Sequence, residues 1–276
     1  MEFPPSPGAT DLLVIGGGGL GRRVGRLWLA HHLEARVLAE TRSDRSHPRL
    51  REAGMLPRLR SDPDPPAMPY VLFSVPPSSQ DDYAAEAGRA GSLWSGGGRL
   101  LLTSSTAMYA EEDGGRCAEG SPLARSLRAS RLLGAEECVL AAGGLVVRLA
   151  GLYDRERGPH RVYLRTPISP RRPDGLISLI HYDDAAALCV QALRRGRGGA
   201  IYLGCDDQPV TRQELVRAVV RSRRYRSPTG PPDPCRFTGT EGPLGRRCDG
   251  TWTRRALGWE PIHRRFLDWI DAIDEP

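Results

Sequence analysis

The stretch DLLVIGGGGLGRRVGRLWLA, Asp11 to Ala30, constrains the fold more than any other segment of the chain. Leu12 to Ile15 are apolar and read as a short buried strand. Gly16-Gly17-Gly18-Gly19-Leu20-Gly21 then matches G-x-G-x-x-G, and Val24, Leu27 and Trp28 follow at helical spacing. Strand, glycine turn and helix stand in the order that a dinucleotide site requires. Gly16 permits a tight turn, Gly18 keeps a Cβ away from a pyrophosphate, and Gly21 lets the helix approach the strand. The helix start presents free N–H groups and a partial positive charge to the phosphates. Four consecutive glycines could also be a flexible loop, but the flanking strand and helix favour the binding turn.

The 276 residues suffice for one large α/β domain, or for a domain plus a small lobe. No apolar run is long enough to span a bilayer. The opening MEFPPSPGATD lacks the basic-then-apolar pattern of a secretion signal, so the expectation is a soluble cytoplasmic protein. An organelle reached through a removed transit peptide stays open.

The formal charge is +6, and all 39 basic residues are arginine. Lysine and asparagine are both missing, which fits the codon usage of a GC-rich genome. Whatever the cause, no step needing a lysine amine can use this chain's own side chains. N-glycosylation is likewise excluded. The arginines are scattered among acidic residues, which argues against nucleic acid, and RSRRYR (Arg221 to Arg226) reads as a solvated helix end. The six cysteines form no C-x-x-C pair and do not cluster with histidine, so no metal is expected. Cys138 and Cys189 fall in apolar helical patterns and read as core thiols of a reducing compartment.

Further strands are expected at Ala35–Glu40, Tyr70–Val75, Arg99–Ser105, Leu145–Gly151 and Ala200–Cys205. Leu56–Leu59 is a weaker strand because it contains Pro57. Helical patterns cover Tyr83–Ala90, Leu123–Ala142 and Tyr182–Leu193. Another helix opens at Thr211, with Glu214 at capping-box spacing, and a last one carries Phe266, Trp269, Ile270 and Ile273. Strands alternating with helices predict an α/β protein with a doubly wound parallel sheet. Residues Ser227 to Gly250, rich in Pro, Gly and Arg, predict a loop-rich smaller lobe.

Several segments then fall into one order: GGGGLGRR, Thr41-Arg42-Ser43, FSVPP, TSSTAMY, VVRLAGLYDRERG, ISLIHYDDAAA, IYLGCDDQPVTRQEL and GRRCDGTWTRRALGWEP. This series resembles the atypical extended short-chain dehydrogenases/reductases, the NAD-dependent epimerase/dehydratase branch, over about Leu12 to Asp271. The resemblance implies a Rossmann domain at 10–204, with 152–176 reaching into a small substrate lobe at 205–276. It places a dinucleotide on Gly16, Gly18, Gly19, Leu20, Gly21, Thr41, Arg42, Ser43 and Ser74. Thr41 stands where the family usually has the aspartate that binds the adenosine ribose. Arg42 follows and suits a 2′-phosphate, so NADP is favoured over NAD, with Glu40 as the counter-argument. Ser105 matches the serine that hydrogen-bonds a reacting oxygen, or else it satisfies backbone groups at the strand end.

The family's tyrosine–lysine pair is missing. Ser121 to Ala141 holds neither residue, and by spacing to Glu136 the corresponding places fall on Arg128 and Leu132 or on neighbours within a residue or so. The expected catalytic pair is therefore Ser105 with Tyr109, Tyr109 being the weaker member and read sooner as a packing or binding residue than as a replacement base. Tyr153, Arg157 and His181 are the expected substrate contacts, with Arg161 and Arg165 as further grips for an anionic small molecule such as a nucleotide sugar. Two readings stay open: a hydride-moving oxidoreductase or epimerase, and a non-catalytic dinucleotide-binding sensor or scaffold subunit. An RNA binder ranks below both, and an oligomer is compatible with each.

Overall fold

The computed structural model describes residues 6–79, 82–206, 208–226 and 230–273. Seven short strands form one parallel sheet. They are β1 (Leu12–Ile15), β2 (Val37–Thr41), β3 (Leu56–Leu59), β4 (Tyr70–Phe73), β5 (Leu100–Ser105), β6 (Leu145–Leu149) and β7 (Ile201–Gly204). Their order across the sheet is β3-β2-β1-β4-β5-β6-β7. The order reverses between β1 and β4, and this reversal opens a crevice beyond the carboxyl ends of those strands. Pro57 is accommodated because β3 is the edge strand, where a missing N–H costs no ladder bond on the open side.

The apolar runs are buried on both faces, as a covered parallel sheet demands. On one face Leu12, Val14, Val37, Leu101 and Val147 pack against Val24 and Trp28 of helix Gly19–His31 and Leu188 and Cys189 of helix Tyr182–Arg195. On the other, Leu13, Ile15, Phe73, Leu102 and Val146 meet Ala87 and Ala90 of helix Tyr83–Ser92 and Leu132 and Val139 of helix Leu127–Ala141. A third apolar cluster joins helix Arg212–Arg221 to helix Phe266–Ala272 through Val216, Val219, Phe266, Trp269 and Ile270, with Tyr153 and Leu179 beneath them.

Local chemistry sets the helix ends. The Ser126 hydroxyl accepts the Ala129 N–H, so that helix begins at Leu127, four residues later than its apolar pattern suggests. Leu123 pairs instead with Tyr109 in an isolated bridge. Thr211 and Glu214 form both bonds of the expected capping box. Cys189 is fully buried, whereas Cys138 is only half-buried, and all six cysteines are free thiols. Short parallel ribbons pair Asp113–Cys117 with Gly245–Cys248, Gly151–Tyr153 with Leu179–His181, and Ile168–Ser169 with Arg236–Phe237. They tie the segments after β5 and β6 to the last third of the chain. Part of the loop-rich stretch, residues 227–229, lies outside the described residues. Among the described residues no helix is long and apolar enough to cross a membrane.

Candidate functional site

The glycine turn sits at the end of β1. Gly16 has φ of +105°, and a Cβ there would stand 2.6 Å from the Ser74 carbonyl oxygen. Only glycine satisfies both the backbone angle and the approach to β4. A Cβ on Gly21 would lie 2.2 Å from the Gly16 carbonyl oxygen. Around Gly18, by contrast, no heavy atom lies within 4 Å of where a Cβ would be. Gly18 is also the N-cap of helix Gly19–His31 and offers no side-chain cap. The first-turn N–H groups, which have no intrahelical acceptor, therefore open onto clear space. That arrangement fits a pyrophosphate.

Two cavities meet at this turn. One, of about 190 Å³, runs between the ends of β1 and β2 and is lined by Glu40, Thr41, Arg42, Arg60 and Glu86. Glu40 is 2% exposed, and its carboxylate takes two hydrogen bonds from Arg89, at 2.9 and 2.8 Å, and one from Arg58. Arg60 stands a further 4.0 Å away. Thr41 Oγ1 lies 2.8 Å from His47 Nε2, while Arg42 and Ser43 are exposed. The carboxylate that argued for NAD does face this cavity, but three arginines already compensate it.

The other cavity, of about 630 Å³, spreads over Gly17, Gly18 and Gly19 and is lined by Arg22, Arg23, Arg49, Arg155, Arg157 and His181. Arg23 is held by Asp154 at 2.9 Å and Asp183 at 2.8 Å, with its guanidinium 4.9 Å from the Tyr182 ring centroid. Asp154 also accepts the N–H groups of Glu156 and Arg157, both at 2.8 Å, and so shapes the loop that carries Arg157.

A third cavity, of about 1000 Å³, contains Ser105, Arg128, Tyr163, Arg171, Arg212 and Arg246. Ser105 Oγ accepts the Ala107 N–H at 3.2 Å, which leaves its own proton for a ligand. Arg246 is anchored on the carbonyls of Thr106 and Tyr109, at 2.6 and 2.7 Å. Among the described residues none of the four arginines has a carboxylate partner, and Glu112 is the acidic residue in the wall. This wall carries a net positive charge, four arginines against Glu112, which suits an anionic ligand.

No protein-family profile matches this chain, and no curated protein matches it. Solved structures do. A functionally unknown conserved protein from Silicibacter pomeroyi DSS shares 22% identity at a TM-score of 0.77, over 96% of this chain and 98% of that one. MoeE5 in complex with UDP-glucose and NAD shares 16% at 0.73, over 95% and 96%. UDP-glucuronic acid 4-epimerase from Bacillus cereus in complex with NAD shares 12% at 0.72, over 96% and 100%. The fold is that of the NAD-dependent epimerase/dehydratase-like Rossmann proteins.

Within this Rossmann fold the expected site residues divide. Gly16 to Gly21, Arg42 and Arg157 gather around the glycine turn, and Ser105 lies in the separate cationic cavity. Ser74 is half-buried and receives a hydrogen bond from Thr103 at 3.2 Å. Tyr109 does not reach either cavity. It is fully buried, its hydroxyl donates to the Glu119 carbonyl, and burial pushes its pKa up to about 12. The catalytic expectation for Tyr109 is therefore corrected to a core role. Tyr153 is corrected in the same way, for it is fully buried against His181, Phe266 and Trp269. His181 caps helix Tyr182–Arg195 by accepting the Asp183 N–H at 3.2 Å, and burial followed by the nearby His263 lowers its pKa to about 4.

Arg128 lines the cationic cavity, and Leu132 is 1% exposed in the core. Beneath them the buried Arg148 makes a two-pronged bond to the buried Glu136 and a third to the Glu119 carbonyl. Sequence reasoning missed Tyr163, Arg212 and Arg246. Arg246 reaches the site across 140 residues of chain, so no local pattern marks it.

Proposed function

We propose that this protein binds NADP(H) across its glycine turn and moves a hydride between the nicotinamide and a carbonyl, alcohol or sugar carbon of a small anionic molecule. The observation that carries this reading is the open space at Gly18, facing the uncapped start of the first helix at the sheet's reversal point. A dinucleotide fits there because a Cβ would fill the cradle and because the helix N–H groups want an anion. Residues 10–204 hold the dinucleotide in this reading, and the lobe from 205 onward, with 152–176, faces the substrate.

Arg42 binds the 2′-phosphate, and Glu40, already paired with Arg58 and Arg89, repels it little. Arg157 and the N–H groups after Gly18 hold the pyrophosphate. When bound, the nicotinamide supplies or accepts the hydride. Ser105 donates its hydroxyl proton to the reacting oxygen, and Arg128 and Arg246 stabilise negative charge that develops on it. Tyr163 lines the same cavity, and burial keeps its hydroxyl protonated against the pull of Arg212 and Arg171, so it donates a hydrogen bond to the substrate. The four unpaired arginines select an anionic substrate. MoeE5 in complex with UDP-glucose and the UDP-glucuronic acid 4-epimerase support that class.

The deciding assay incubates the protein with stereospecifically deuterated NADPH and a panel of carbonyls and sugar nucleotides. Label should move to one of them and should fall at least tenfold in Ser105→Ala. A second reading, dinucleotide binding without turnover, rests on Leu132 filling the core where a lysine would work. It predicts tight NADPH binding and no label transfer to any acceptor.

A further inference from the structure

The wall of the 630 Å³ cavity carries a side-chain cluster that the dinucleotide reading leaves unused. His181, Asp184 and His263 each bring a donor atom, and these atoms all lie within 4.8 Å of one another. Asp184 is 1% exposed. Its carboxylate accepts the N–H of Ile262 at 2.7 Å and that of His263 at 2.9 Å, and stands 2.9 Å from His263 Nδ1. The two imidazole rings lie with centroids 3.9 Å apart, and both line the cavity.

We propose that His181, Asp184 and His263 form a divalent transition-metal site, with zinc as the ion. Two imidazole nitrogens and one carboxylate oxygen suit zinc, cobalt or nickel, whereas calcium and magnesium want oxygen donors throughout. Three protein ligands leave a fourth tetrahedral position for an outside ligand, and His181 and His263 both line the cavity from which one would arrive. The outer contacts are in place as well. The two backbone N–H groups orient the Asp184 carboxylate from behind, as supporting hydrogen bonds do around bound metals. The neighbouring Asp183 is held by Arg23 through Oδ1, and its N–H donates to His181 Nδ1 at 3.2 Å, so His181 binds the ion through Nε2 or gives up that cap. Donors about 2.0–2.2 Å from a tetrahedral ion stand roughly 3.3 Å apart. The Asp184–His263 edge must therefore widen by a few tenths of an ångström, and the His181 donor, within 4.8 Å of the others, must move inward by up to about 1.5 Å. Side-chain rotation provides both. The chain hides this site from sequence inspection because His263 lies 79 residues beyond Asp184.

The test uses full-length protein stripped with a chelator and then dialysed free of it. Zinc is titrated by calorimetry, and cobalt is added separately to read the visible bands of a tetrahedral ion. One equivalent of each should bind, and zinc affinity should fall at least 100-fold in His263→Ala. Asp184→Asn, which keeps an acceptor for one of the two backbone N–H groups, should also lose the cobalt bands. Binding that survives both substitutions, or that is lost in His31→Ala instead, overturns the proposal. So does the absence of stoichiometric zinc binding, which leaves an ordinary aspartate–histidine hydrogen bond. None of these readouts needs NADPH, so the outcome is independent of the proposed function.

Discussion

The buried His160 makes stability depend on pH in a way that one substitution can isolate. The ring is fully buried in helix Pro159–Tyr163, with centroids 5.6 Å from Tyr225, 5.6 Å from Phe266 and 5.9 Å from Trp269. Burial, and then the charge of Arg161, lower its pKa from 6.5 to about 4, against a smaller opposing pull from Asp154. Above pH 6.5 the ring is neutral in folded and unfolded chains alike, and it contributes no pH dependence. Between pH 6.5 and 4 the unfolded chain takes up a proton that the folded chain refuses. Stability therefore falls as the pH falls through that window. At about 1.4 kcal/mol per unit the full effect is about 3 kcal/mol, of which about 2 kcal/mol has been lost at pH 5.

His160→Phe removes the titrating group and keeps a ring in the aromatic nest. Urea unfolding at pH 8 and pH 5 separates the two contributions. Any packing cost of the phenyl ring appears at both pH values, whereas the proton-linked loss appears only in the wild type. The wild type should lose about 2 kcal/mol more than the variant between pH 8 and 5. With a urea slope of about 2–3 kcal/mol per molar, that is a midpoint difference of roughly 0.7–1 M. Parallel losses in the two proteins would refute the argument, because the acid sensitivity would then reside in other groups.

Three further predictions follow from the site and its support. Arg42→Ala should weaken NADP binding about 10- to 100-fold and leave NAD unchanged, as measured by fluorescence titration of both dinucleotides. Gly21→Ala and Gly18→Ala should behave oppositely. The first forces a Cβ to 2.2 Å from the Gly16 carbonyl and should lower the melting temperature by roughly 5 °C. The second has free space and should keep the melting temperature while losing at least tenfold in dinucleotide affinity. Arg148→Met strands the Glu136 carboxylate in the core and should cost about 3–5 kcal/mol in urea unfolding at pH 7. A Glu136→Gln, Arg148→Met double variant should recover much of that loss, which a simple packing role for Arg148 does not predict.

Much of the sheet was legible because its signals are local. The runs Leu12–Ile15, Tyr70–Phe73 and Leu100–Ser105 are apolar and bounded by turns, so each reads as a buried strand without reference to its neighbours. Thr211 and Glu214 announce a helix start for the same reason, both partners lying within one turn. Leu123 misled because apolar spacing extends past the point where Ser126 ends the helix with its own hydroxyl. Tyr109 and Tyr153 misled because a tyrosine next to a motif can face either a cleft or the core. Their burial is decided by Arg148, Phe266 and Trp269, which come from distant segments.

The sequence by itself determined a parallel α/β protein with a G-x-G-x-x-G turn between its first strand and helix, and it determined that no lysine can act in it. Those conclusions depend only on residue type and spacing along the chain. Only the tertiary structure decided that Glu40 is already paired, since Arg89 arrives from 49 residues away. Only the tertiary structure decided that Arg128 joins Ser105, Arg212 and Arg246 in one cavity, and that His263 meets Asp184. Charge compensation and burial are sums over neighbours in space, and the chain order does not carry them.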